Sequence, residues 1–119
     1  MSSVLLAEDE FLVRAVLVDA LGEIGIDCIE APTAQAALDV LLGQAPVAAV
    51  IVDIGLPDMS GEKVIEAAVS HRPGVPIIRC SGDGGTGSVV AGVKIHSFPK
   101  PYRATELSKF VASLIDNNG

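Results

Sequence analysis

The sequence predicts an α/β domain: a doubly wound, five-stranded parallel sheet with helices on both faces. Three observations predict it. Short apolar runs alternate with stretches of three-and-four spacing along the whole chain, the order that builds a parallel sheet through right-handed crossovers. One run, Val47 to Val52 (VAAVIV), is apolar without a break, as a strand covered on both faces must be. Half of the 119 residues are hydrophobic and only 3% are aromatic, so the core is built from Val, Ile, Leu and Ala. That length suits a single domain, read here as residues 1–119.

The elements follow in order. Val4-Leu5-Leu6-Ala7 is a brief apolar run that stops at three acids and reads as a buried strand. Phe11 to Ile24 places Val13, Leu17, Ala20, Leu21 and Ile24 on one side of a helix, with Gly25 where a C-terminal glycine belongs. Asp27 to Ala31 is a second strand. Pro32-Thr33 opens a second helix with Thr33 as N-cap and Ala34, Ala37, Leu38 and Leu41 inward; Gly43 and Pro46 end it. Val47 to Val52 is the central strand, closed by Asp53. Ser60 caps a third helix carrying Val64, Ile65 and Ala68, and Glu62 is placed for a weak capping box. Val75 to Cys80 is the fourth strand, Val93 to Phe98 the fifth, and Ala104 to Asp116 the last helix, with Leu107, Phe110, Val111, Leu114 and Ile115 on its inner face. Between them, Gly82 to Gly92 (GDGGTGSVVAG) should hold a fourth helix. Glycine costs about 1 kcal/mol per helical position against alanine, so that helix is expected to be short or irregular, or replaced by a loop.

The net charge of -7, with no basic run, argues against direct contact with nucleic acid. No stretch approaches the roughly 20 apolar residues of a membrane span, and the N-terminus lacks the basic start of a signal peptide. Cys28 and Cys80 have no metal-ligand spacing and read as buried, reduced thiols, which makes the expected location cytoplasmic.

In a doubly wound sheet, ligands bind beyond the carboxyl ends of the strands. Those ends carry Glu8, Asp9 and Glu10 after the first strand, Asp53 after the third, Ser81 after the fourth and Lys100 after the fifth. In the flavodoxin-like order 2-1-3-4-5 the first and third strands are neighbours, so Glu8, Asp9 and Asp53 crowd together. Two such charges about 4 Å apart repel by roughly 4 kcal/mol at an effective dielectric near 20. The cluster needs a cation or raised pKa values, and for a cation an all-oxygen donor set with open positions suits Mg2+. A carboxylate beside that ion, with an ammonium and a hydroxyl in reach, makes a phosphoacceptor site. Asp53 is the nucleophile there, and Ser81 and Lys100 hold the transferred group.

The chain resembles the receiver domains of two-component response regulators (the CheY-like family) over essentially its whole length. The carriers are LLAEDE, VIVDIGLPDMSG with Asp53, Pro57 and Gly61, Ser81-Gly82, and Lys100-Pro101-Tyr102. The resemblance implies a switch rather than an enzyme, phosphorylated on Asp53 by a histidine kinase or a histidine phosphotransfer protein and read by a downstream protein target. It implies metal ligation by Glu8, Asp9, Asp53 and the Gly55 carbonyl, a cis Lys100-Pro101 bond, and a kinase-docking surface drawn from Phe11, Leu12, Arg14, Pro101 and Tyr102. Because the chain ends after the last helix at Asn117-Asn118-Gly119, a stand-alone receiver is expected, with a receiver cut from a longer protein as the alternative.

Three departures stand out. The first acid is Glu8 where Asp is commoner. Ser97 occupies the usual aromatic position three residues before the lysine, with Phe98 one place on as a substitute if the register shifts. The Ser81–Lys100 segment is short and glycine-rich. Two other classes remain open: a Mg2+-dependent phosphohydrolase with an Asp nucleophile, and a pseudo-receiver that binds partners without phosphorylation. Glu10 reads as a helix-start acid and Asp58 as a loop acid. His71 and His96 read as structural or solvent-facing. GDGGTG lacks the Gly-Lys-Ser/Thr ending of a phosphate loop.

Overall fold

Strand β1 (Ser3–Ala7) alternates its side chains between two cores, and that alternation sets the architecture. Leu5 and Ala7 face one apolar cluster, Val4 and Leu6 the other, all fully buried. The computed structural model describes residues 3–82 and 88–118. Along the chain β1 is followed by α1 (Phe11–Glu23), β2 (Cys28–Ala31), α2 (Ala34–Leu42), β3 (Val47–Asp53), α3 (Gly61–His71), β4 (Ile77–Ser81), β5 (Ser88–Val90), β6 (Val93–Pro99) and α4 (Ala104–Asn118). The sheet order is β2-β1-β3-β4-β6-β5. All pairs are parallel except β5 with β6.

The expected sheet of order 2-1-3-4-5 is thus present as β2-β1-β3-β4-β6. β3 is central and buried on both faces, as its unbroken apolar run requires. Val50 and Val52 join Val64, Ile65 and Ala68 of α3 and Ala34, Ala37 and Leu41 of α2 on one side. Ala49 and Ile51 join Leu17 and Leu21 of α1 and Leu107 and Val111 of α4 on the other.

The helix ends follow local chemistry. The Thr33 hydroxyl accepts from the Ala36 N–H, and the Ser60 hydroxyl from the Glu62 N–H. Gly25 has φ +81°, the left-handed geometry its place past α1 predicts. Two expectations change. Ile24 is exposed at the C-cap of α1 rather than on its buried face. Glu62 reaches across to Arg79 of β4 at 2.8 Å, so its carboxylate ties α3 to the sheet.

The segment expected to hold a fourth crossover helix is also different. Ser88 to Val90 is a strand, joined to β6 by the two-residue turn Ala91-Gly92, both at positive φ (50° and 81°). β-Branched Val89 and Val90 beside a glycine turn favour a hairpin, and the glycines disfavour a helix. The GDGGTG reading falls largely on residues 83–87, outside those described.

Candidate functional site

β1, β3, β4 and β6 run parallel, so their C-terminal ends reach the same edge of the sheet. Asp53 is the last residue of β3 and is 7% exposed. Glu8 follows β1, with its N–H donating to the Ala31 carbonyl at 3.1 Å, and is 1% exposed. Oxygens of Glu8, Asp9 and Asp53 all lie within 4.8 Å of one another; Asp9 is exposed. These three acids meet as the sequence predicts. Glu10 is set apart as the N-cap residue of α1.

Lys100 leaves the end of β6 and points into this cluster. Its Nζ is 3.0 Å from Asp53 Oδ2 and 3.6 Å from Glu8 Oε1. Its backbone N–H donates to the Ser81 carbonyl at 2.9 Å, fastening the lysine to the end of β4. Cys80 is level with Asp53 across the sheet, so Ser81 stands one position beyond it. The Gly55 N–H donates to Asp53 Oδ1 at 3.1 Å, leaving each Asp53 oxygen with a donor. The Lys100-Pro101 bond is cis.

The electrostatics are those of a site short of positive charge. Burial pushes the Glu8 carboxyl up to about 6; the Glu10 N–H opposes this and the Asp53 charge adds to it. Desolvation works against the Lys100 charge, but the bond to Asp53 and the field of Glu8 outweigh it and hold its pKa above the ordinary value. Glu8 Oε2 accepts from the Glu10 N–H at 3.0 Å, whereas Glu8 Oε1 is buried without a hydrogen-bond partner. A buried carboxylate oxygen with only the Lys100 ion pair at 3.6 Å and no hydrogen bond, beside two more acids, fits a hard, oxygen-seeking cation.

Aromatic residues approach from one side. Phe98 packs edge-on against Tyr102 and beside Phe110, in the layer of α1 and α4. Successive strand residues face opposite ways, so Phe98 does not take the place of an aromatic at Ser97. A shallow cavity of about 330 Å3 lined by Glu10, Val13, Lys100, Pro101 and Tyr102 opens beside the site. Phe11 and Leu12, between Glu10 and Val13 in the chain, are exposed, at 69% and 76%.

Sequence reasoning missed two supports. Asp58, read as a loop acid, accepts from the N–H groups of Ala34 and Gln35 at 2.8 and 2.9 Å, so the loop after Asp53 is fastened to the start of α2. Arg14 donates to the Glu8 carbonyl at 2.9 Å. Neither contact has a local sequence signal.

A family model described as response regulator receiver domain matches residues 4–112. The chain belongs to that family. Receivers of two-component systems serve mostly as signalling switches, usually bind Mg2+ at an acidic cluster, and interact with histidine kinases and phosphotransfer proteins. This receiver is 32% identical over 117 residues to the transcriptional regulatory protein PmrA of Pectobacterium parmentieri. The match covers 96% of the chain and 52% of that protein, so the chain spans about half the length of this relative. Among solved structures it is similar to a CheY-like receiver domain protein of Methanospirillum hungatei (TM-score 0.83, 21% identity, 99% and 96% of the two chains covered). It is also similar to the receiver domain of a Pseudomonas aeruginosa sensor histidine kinase, solved with magnesium coordinated in its active-site cleft (TM-score 0.78, 19% identity, 97% and 98% covered). At these identities the two structures speak for the fold.

Proposed function

We propose that this receiver is a phosphoacceptor switch of a phosphorelay in which Asp53 takes a phosphoryl group from a histidine kinase or a histidine phosphotransfer protein. One observation carries the reading: Asp53 ends the central strand in contact with Lys100, while Glu8 and Asp9 bring two more carboxylates within 4.8 Å. Glu8, Asp9, Asp53 and the Gly55 carbonyl would hold Mg2+. When bound, the ion offsets charge on the phosphoryl oxygens.

The chain's own groups do the rest. One Asp53 oxygen attacks phosphorus, the phosphorus–nitrogen bond of the donor imidazole breaks, and its electron pair returns to the ring nitrogen. Lys100 neutralises an oxygen of the transferred group and Ser81 donates to another. The donor supplies the activated phosphate, so positioning is the chain's main contribution. Among the described residues no helix is long and apolar enough to cross a membrane. With both cysteines free, the proposed location is cytoplasmic. Output would pass to a downstream protein target.

Intact-mass analysis after incubation with acetyl phosphate and Mg2+ tests this. The wild type should gain one phosphoryl group and Asp53→Asn none. No gain in the wild type would mean a pseudo-receiver. Turnover of generic phosphomonoesters that depends on Asp9 would favour a phosphohydrolase.

A further inference from the structure

Arg14 stands on the first turn of α1, yet its guanidinium turns back onto the segment that bears the acids. Nη1 donates to the Glu8 carbonyl oxygen at 2.9 Å, and Nε donates to Glu30 Oε1 at 2.9 Å. Its side chain is 13% exposed against 49% for Glu30. The guanidinium carbon also lies 5.7 Å from the centre of the Phe11 ring. A planar fork held at three places has little freedom left.

What Arg14 holds matters more than how firmly it is held. The Glu8 carbonyl belongs to the Glu8–Asp9 peptide unit, which is planar and includes the Cα atoms of both residues. With the Glu8 N–H on the Ala31 carbonyl and the Glu10 N–H on Glu8 Oε2, holding that C=O restrains the peptide units on both sides of Glu8 and of Asp9, and so the directions in which the two side chains leave the backbone. Strand β2 supplies both anchors: Ala31 takes the Glu8 N–H directly, and its neighbour Glu30 holds Arg14.

We propose that Arg14 is a positioning residue for the divalent-cation site, fixing the Glu8–Asp9 peptide so that both carboxylates converge on one ion, with Glu30 as its anchor. The inference rests on the reading of Glu8 and Asp9 as metal ligands. Its sign separates it from a simple charge effect. A nearby cation repels Mg2+, so its removal would tighten binding through space, whereas loss of positioning weakens it.

Calorimetric titration with MgCl2 on the wild type, R14K, R14Q and E30Q, alongside thermal melts, tests the proposal. Leu41→Val, in the α2 core, serves as a destabilised control. R14Q should weaken Mg2+ binding roughly tenfold, in line with other groups that orient metal ligands, and R14K and E30Q less. Leu41→Val should lower the melting temperature and keep wild-type affinity. Unchanged or tighter binding by R14Q would overturn the proposal, as would a loss of affinity in Leu41→Val equal to that in R14Q. A wild type that binds no Mg2+ would sink the metal reading as well; equal binding by wild type and R14Q would sink this inference alone.

Discussion

The Lys100 ammonium lies 3.0 Å from Asp53 and 3.6 Å from Glu8, so one cation from the end of β6 serves carboxylates at the ends of both β3 and β1. Lys100→Met keeps much of the side-chain volume and removes the charge. Phosphorylation by acetyl phosphate should slow by about 10²-fold, the usual effect of losing one donor to developing negative charge. Mass spectra over time give the rate, and a wild-type rate would remove Lys100 from the transition state.

Asp58 gives a pH signature. The Ala34 and Gln35 N–H groups hold its carboxyl below the ordinary value of 3.8. A depressed folded pKa contributes stability that is present above 3.8 and lost as pH falls through the lower, folded value. Asp58→Asn should therefore melt earlier than the wild type near neutral pH, and the gap should close well below pH 3.8. A gap independent of pH would point to shape rather than charge.

Gly61 is placed by close approach. A Cβ there would lie 2.5 Å from the Asp53 carbonyl oxygen, 2.8 Å from Val52 Cγ1 and 2.9 Å from Ile54 Cα. Two of these are backbone atoms that cannot swing aside. Gly61→Ala should cost about 3 kcal/mol, the upper range of overpacking. Urea unfolding measures the loss, and the displaced end of β3 should also slow phosphorylation of Asp53.

Ala91 is the converse case. It adopts φ 50° in the turn between β5 and β6, where a side chain with Cβ is disfavoured. Asn-Gly is the preferred pair for such a turn. Ala91→Asn should stabilise by about 1 kcal/mol, visible as a higher melting temperature. A lower one would show that the turn makes contacts specific to alanine.

Much of the site was legible because each chemical residue ends a strand or lies just past one. Once the apolar runs are read as parallel neighbours, Glu8, Asp9, Asp53 and Lys100 have only one edge to occupy. The supports were illegible because they join a side chain to distant backbone. Arg72, at the end of α3, donates to the carbonyls of Val40, Leu41, Gly43 and Ala45 and closes the end of α2. Asp58 acts across 24 residues. No periodicity marks such bonds. The hairpin was missed for another reason. Val89-Val90 and Val93 flank a two-residue turn, a strand signal, but alanine stands where Asn or Asp would have announced it.

That hairpin also decides how the sheet stops. β5 has three residues and, among those described, is the edge strand on this side of the sheet, opposite β2. A margin so short gives another chain few main-chain rungs to add to, whereas a bare seven-residue β6 would have given a full ladder. Crowded copies of the molecule thus have a poor template for fibre growth on this flank, at the expense of a single outward valine, Val89.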